Sequence, residues 1–208
     1  MPEYLAVHCR SILPLLLLVL ASCTPVRTVI PPDQQARNAA LLAMQSWEIR
    51  GRIAFRSGAE GGQANLHWQQ AGERSLIRLA GPFGAGAYDV ILEPERVSVA
   101  DADGEQSIVY QGAEAAEQFL QAQLGWSFPA GSTRYWMMGL LDPAAAGAEQ
   151  RAADGTLLAI QQHGWSVRFD RFKDVQGYVL PVRLELDNTN ANLRVVITRW
   201  TLEPAASL

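Results

Sequence analysis

Charge is scarce in this chain. Asp, Glu, Lys and Arg make up 18% of its 208 residues, against 49% hydrophobic, and the net charge is -4. No Lys/Arg cluster interrupts the sequence. That argues against a nucleic-acid binder, which needs a basic stripe. Histidine is also sparse. His67 and His163 are the two beyond the N-terminal segment, and neither belongs to a spaced metal set such as His-Glu-x-x-His. There is no Gly-x-Ser-x-Gly elbow. The glycine-rich stretch at 81–86 lacks the Lys-Ser/Thr of a phosphate loop and has strand-like flanks. Ser127 or Ser132 with His163 and Asp170 could compose a triad, but nothing local supports it. These absences argue against an enzyme and imply neither cofactor nor metal. Repeats, coiled-coil heptads and low-complexity tracts are missing as well.

Cysteine is nearly absent: Cys9 and Cys23 are the whole complement. The one long apolar run, Ile12 to Ala21, follows Arg10 and is too short to span a bilayer. It has the length of a secretory h-region. It ends Leu20-Ala21-Ser22-Cys23, which is similar to a bacterial lipobox. In such a box the cysteine is acylated, exposed by cleavage and acylated again on its amine. The alternative is an ordinary signal peptide with a chance cysteine. Under the lipobox reading, residues 1–22 are a lipoprotein signal peptide and Cys23 is the lipidation site. Residues 23–32, Pro- and Val-rich, are then the lipidated tether, and 33–208 are one domain. Cys9 leaves with the signal, so no intramolecular disulfide is possible. The resemblance to bacterial lipoproteins further implies sorting to the outer membrane, because Thr24 and not aspartate follows the cysteine.

What is abundant is period-two hydrophobicity. A helix is expected from Asp33, a candidate cap, to Ser46, with Ala40, Leu41 and Met44 on one face. The period then changes. Trp47, Ile49, Gly51, Ile53 and Phe55 alternate with Glu48, Arg50, Arg52 and Ala54, where the arginines read as solvated sheet charges. Ala64, Leu66 and Trp68 follow the same pattern. Further strands are expected at 75–80, 88–92, 97–100 and 107–110. A helix carrying Ala113, Ala116, Phe119, Leu120 and Leu124 stops at Gly125, and Ser132 is placed to cap a short helix bearing Trp136, Met137 and Met138. The two methionines suit core packing or a repacking apolar surface. Four more strands lie at 157–161, 165–172, 180–186 and 193–202. The fold class is therefore mainly β with helices: a single antiparallel curled sheet, an open half-barrel, with helices covering an apolar concave face. Sheets of about ten strands tend to curl or close.

Leu79 to Tyr88 stands out. No charge falls between Arg78 and Asp89, and three glycines and a proline interrupt the strand pattern. Pro82-Phe83-Gly84 reads as a hairpin tip that presents a phenyl ring. Phe83 either folds back under the sheet or meets lipid or an apolar partner.

Several motifs stand in order along the chain. They are Trp47-x-x-x-Gly51-Arg52-Ile53-Ala54, Trp68-Gln69-Gln70, Gly81-Pro82-Phe83-Gly84, Trp136-Met137-Met138-Gly139, Gln162-His163-Gly164-Trp165, Leu180-Pro181 and Trp200. Together they resemble the LolB family of outer-membrane lipoprotein receptors, from the lipobox to the C-terminus. The resemblance implies a half-barrel over an apolar acyl-chain cavity. It implies a protein, lipid-anchored on the periplasmic face of the outer membrane, that accepts lipoproteins from the periplasmic carrier LolA. It would insert them into outer-membrane phospholipid, acting as a monomer without nucleotide or cofactor. The candidate cavity lining is Ile53, Phe55, Leu66, Trp68, Leu79, Val90, Trp136 and Met137. The candidate membrane-insertion loop is Pro82, Phe83 and Gly84, with phenylalanine where the family more often carries leucine. Two other classes remain to be separated from this one: a lipid-modifying hydrolase and a structural envelope lipoprotein built on the same sheet.

Overall fold

A computed structural model of the chain describes residues 32–81, 86–101, 107–112, 114–124 and 128–203. Pro32–Leu208 forms one compact unit. Cys23, the tether up to residue 31, Pro82 to Gly84 and Ser127 lie outside the described residues.

The described chain runs α1 (Pro32–Leu42), β1 (Ser46–Ser57), β2 (Glu60–Ala71), β3 (Arg74–Ala80), β4 (Ala87–Glu93), β5 (Arg96–Asp101), β6 (Ser107–Gln111), α2 (Ala115–Leu124) and α3 (Ala130–Met137). It continues with β7 (Gly147–Arg151), β8 (Leu157–Gln162), β9 (Trp165–Val175), β10 (Tyr178–Asp187) and β11 (Asn192–Glu203). The eleven strands make one antiparallel sheet in the order β6-β5-β4-β3-β2-β1-β11-β10-β9-β8-β7. Each half is a meander, and the halves are joined by the first strand pairing with the last. The sheet is open, with β6 and β7 as its edges.

Three expectations shift at the helix ends. α1 ends at Leu42 rather than Ser46, and Asp33 lies inside its first turn rather than before it. α3 begins after Pro129, and Ser132 lies within the helix and makes no cap bond. β7, Gly-Ala-Glu-Gln-Arg, is absent from the sequence expectation because it has neither alternation nor a β-branched residue.

Pairing register sorts the side chains. Ile49 is opposite Trp68 and Trp200, and Ile53 is opposite Ala64 and Val195, all on the concave face. Glu48, Arg50 and Arg52 fall on the other. The main core gathers where α1 and α3 meet the middle and C-terminal strands. It includes Leu41, Ile49, Trp136, Ile160, Leu180 and Leu184, each fully or almost fully buried. Trp47 anchors it with tilted ring contacts to Trp68 at 5.3 Å and Trp200 at 5.4 Å. Such pairs add about 0.5–1.5 kcal/mol beyond area burial. A second small core, Val97, Val99, Ala115 and Phe119, seats α2 on β5.

Gln162 fastens α3 to the sheet. It is 3% exposed. Its Oε1 accepts from the Trp136 indole N–H at 2.9 Å and the Asp142 backbone N–H at 3.0 Å. Its Nε2 donates to the carbonyls of Asp142 and Ala145, both at 2.9 Å. A buried donor or acceptor left without a partner costs about 1–3 kcal/mol. Gln162→Leu therefore strands several groups at once and should destabilise the domain by about 3–5 kcal/mol. Gln161→Leu, at an exposed neighbour, should stay within about 0.5 kcal/mol. Urea unfolding of both variants checks the difference.

Candidate functional site

The N-terminal meander is hollow where the C-terminal one is solid. Between the concave faces of β1–β6, the adjoining Leu186, Leu193 and Val195 of β10 and β11, and the helices α2 and α3 lies a cavity of about 560 Å³. That is within the range of ligand clefts, about 300–1,000 Å³. Its wall is hydrocarbon almost throughout, and Gln63 and Thr133 are the polar side chains that reach it. It exists because alternation places an apolar residue at every second position of successive strands, while the covering helices stop short of filling the space. Cross-strand rows build the floor. Leu66 is opposite Leu79, which is opposite Tyr88, and Trp68–Ile77–Val90–Val99–Ile108 run side by side from β2 to β6.

Seven of the eight candidate lining residues meet on this cavity: Ile53, Phe55, Leu66, Trp68, Leu79, Val90 and Met137. Phe55 is exposed, and the other six are of two kinds. Leu66, Trp68 and Met137 are buried, whereas Ile53, Leu79 and Val90 are only half-buried because they face the void. Trp68 is fixed further, since its indole N–H donates to Gln70 Oε1 at 3.0 Å and Ser75 Oγ donates to the same oxygen at 2.7 Å. Trp136 departs from expectation. It is 0% exposed and points from α3 to Gln162, away from the cavity. On α3 the cavity is reached by Ala130, Thr133 and Met137, one helical face, and Trp136 lies outside that face. The sequence reading also missed Val99, Ile108 and Phe119. A signal was present, because Val99 and Ile108 alternate in phase with Val90 once strands are registered.

Exposed apolar side chains mark one end of the sheet. Phe55, Tyr88 and Ile108 are 38%, 55% and 45% exposed and also line the cavity. They stand at the end where β1 turns into β2, β3 into β4 and β5 into β6. The β3–β4 connection leaves from this end. Gly81 N–H donates to Gly86 O at 3.0 Å, and Gly86 has φ of 62°, a conformation that suits glycine.

Ser132 and His163 do come together, but not as a triad. Ser132 Oγ donates to Asp142 Oδ2 at 2.6 Å and lies 2.9 Å from His163 Nε2. The serine is between acid and imidazole, where a nucleophile needs the imidazole between serine and acid. Asp170 is elsewhere, exposed on β9. Ser132 is 4% exposed and is not part of the cavity wall. The cluster ties α3 to the 142–145 turn and the β8–β9 turn.

An open antiparallel half-barrel is also the fold of a LolA superfamily protein from Nitrosomonas europaea. That structure is 10% identical, with a TM-score of 0.53 over 82% of this chain and 94% of the other. A DUF1329 family protein from Desulfovibrio piger has the same fold at a TM-score of 0.54 and 8% identity, covering 84% of this chain and 92% of that one. At sequence level, residues 45–200 match the family model described as outer membrane lipoprotein LolB. The outer-membrane lipoprotein LolB of Nitrosococcus oceani is 33% identical over 201 residues, 93% of this chain and 98% of the relative. That of Stutzerimonas stutzeri is 30% identical over 197 residues, 90% and 92% respectively. The chain belongs to the LolB family.

Proposed function

We propose that this protein is an outer-membrane-anchored receptor that takes lipoproteins from the periplasmic carrier LolA, holds acyl chain in the concave cavity and releases it into the outer membrane. The observation that carries this reading is the hydrocarbon wall of the cavity in a chain of the LolB family. An acyl chain offers about 0.8 kcal/mol per buried methylene and asks for no hydrogen bonds. A wall of alkyl and aromatic groups binds such a ligand without direction, so it can slide out again. Transfer without an energy source runs down a gradient of affinity from carrier to receptor to bilayer.

In this reading Cys23 carries the lipid anchor and residues 1–22 are removed. Pro82-Phe83-Gly84 is the part that enters lipid, supported by the exposed Phe55, Tyr88 and Ile108 at the same end of the sheet. Burying one phenylalanine contributes about 1.5–3 kcal/mol, enough for reversible contact and too little for anchoring. The test is an assay that scores carrier-to-receptor and receptor-to-liposome transfer separately. Phe83→Glu should load normally and accumulate loaded receptor, because a charge entering lipid costs about 2–4 kcal/mol. Phe83→Leu should be nearly silent. Loss of loading with release intact would move Phe83 to the carrier-docking surface. Labelling of the purified protein by a serine-reactive acyl probe would favour a hydrolase instead, and stoichiometric envelope partners without acyl binding would favour a scaffold.

A further inference from the structure

The convex face carries its charges in two arrangements. Over much of it, opposite signs face each other. Arg78 meets Asp89 at 2.8 Å and Arg74 meets Glu93 at 3.2 Å. Arg50 meets Glu48 at 2.7 Å, and His67 approaches the same carboxylate. Arg168 and Arg194 share Glu185, and Arg168 also reaches Asp187. The paired acids feel it. Glu48 is held below the usual carboxylate range first by the Arg50 hydrogen bond, and Glu185 first by Asn192 and then by Arg168.

The middle of the face breaks this rule. Among the described residues, Arg52, Arg171, Arg183 and Arg199 are exposed and form no ion pair. Asp170 is the acid adjoining them in sequence, and its charge bears on Arg168. Arg199 lies directly opposite Arg50, and Arg183 directly opposite Arg171. Arg52 is opposite Val196, itself opposite Arg183. A row Arg52–Val196–Arg183–Arg171 thus crosses β1, β11, β10 and β9, spanning about 14 Å at the usual strand spacing. Like charges set opposite each other destabilise a sheet. Here they persist although the net charge of the chain is -4. The sequence hides the strip because its members come from four strands. Lys173 is the sole lysine, and every other basic residue is arginine, whose planar fork matches phosphate oxygens.

We infer that this arginine strip is a docking face for the anionic phosphate headgroups of the membrane to which the protein is tethered, holding the domain with its cavity directed away from the bilayer. A flat sheet face fits a planar array of headgroups better than a single ligand. The choice of lipid over an acidic protein rests on the anchored reading above. Cys23 lies nine residues before Pro32, so the tether reaches about 30 Å at full extension. A domain kept that close needs only weak attraction to be oriented. Loading then faces the periplasm, and delivery requires the domain to tip onto its apolar end.

The experiment uses the chain from Thr24 onward, because the core lies wholly within Pro32–Leu208. Sedimentation is measured with phosphatidylcholine vesicles and with vesicles in which about one lipid in three is phosphatidylglycerol, with neither carrier nor lipoprotein present. Binding should appear only with the anionic vesicles and weaken as salt rises. Each arginine neutralised should cost about fivefold, so Arg52→Gln/Arg183→Gln/Arg199→Gln should bind about a hundredfold less. The triple variant should melt no lower than the parent, since like-charge repulsion is relieved. Arg74→Gln/Arg96→Gln, at the opposite turns, should stay within about twofold. A loss of about fivefold per charge in both variants would reduce the effect to net charge and overturn the assignment. Absence of anionic-vesicle binding would overturn it too, while leaving the transfer reading untouched. Unchanged vesicle binding with impaired loading from the carrier would assign the strip to an acidic protein instead.

Discussion

Gly51→Val should abolish folding of the domain, and Gly51→Ala should cost at least about 4 kcal/mol, at the far tail of single substitutions. The reason is local and steric. A Cβ built on Gly51 would stand 2.1 Å from the carbonyl oxygen of Val196 and 3.0 Å from the Cα of Ile197. Both are backbone atoms of β11, so no side chain can rotate away. The close approach comes from a bulge, where the register between β1 and β11 shifts after Arg50. Thr198 is the extra residue, and its hydroxyl donates to the Arg50 carbonyl at 3.0 Å. Below the bulge Ile49 is opposite Trp200, and above it Ile53 is opposite Val195, so apolar residues stay on the concave face on both sides. Relieving the clash by slipping one residue would turn a whole strand's hydrophobic set toward water. The position also matters globally, since β1–β11 joins the two meanders. Gly58→Ala serves as the comparison. Gly58 has φ of 57° but nothing within 4 Å of its would-be Cβ, so only the left-handed conformation is penalised, by about 1–2 kcal/mol. Thermal melts of the three variants should separate steric exclusion from conformational preference. Equal losses for Gly51→Ala and Gly58→Ala would mean the bulge relaxes freely.

The pattern of what could be read beforehand follows from range. Alternation is a local property, so ten of the eleven strands were legible, and so was the choice of concave face for Ile53, Leu66, Trp68 and Val90. β7 carries no local signal and is a strand only because β8 offers it a partner. Trp136 and Met137 are adjacent on α3, and a helix sends adjacent residues in directions about 100° apart. Composition cannot say which one turns to the void; the Gln162 amide, 26 residues downstream, settles it by capturing the indole. Ser132 has the chemistry of a cap, yet its hydroxyl is taken by Asp142, with His163 beside it, both distant in sequence. The arginine strip was invisible for the same reason, because its four members become neighbours only through strand pairing.

Val90→Asp should leave the protein folded and make its cavity useless for acyl chains. Val90 lies mid-strand in β4, between Ile77 and Val99, and faces the hollow. It is half-buried, so in the empty protein a carboxylate there keeps water around it through the open cavity. The stability loss should stay near the ordinary value for a point substitution, about 1 kcal/mol. Occupancy changes the balance. A hydrocarbon chain in the cavity would strip water from the carboxylate, and the surrounding wall provides no cation and few donors to replace it. Dehydrating an unpaired charge costs several kcal/mol, so affinity for a fluorescent fatty-acid analogue or an acylated peptide should fall at least about a hundredfold. Leu79→Asp, also half-buried on the wall, should behave in the same way. Trp68→Glu should not. Trp68 is 4% exposed and its indole is held by Gln70, so the charge would be buried even without ligand and the fold itself should fail. Asp89, one residue away on the other face, is already a carboxylate, paired with Arg78 at 2.8 Å. Asp89→Asn should therefore leave acyl binding intact. Titration of the analogue into each variant, with circular dichroism to confirm the fold, distinguishes the cases. Normal binding by a folded Val90→Asp protein would place the acyl chain outside this cavity and remove the observation on which the receptor reading stands.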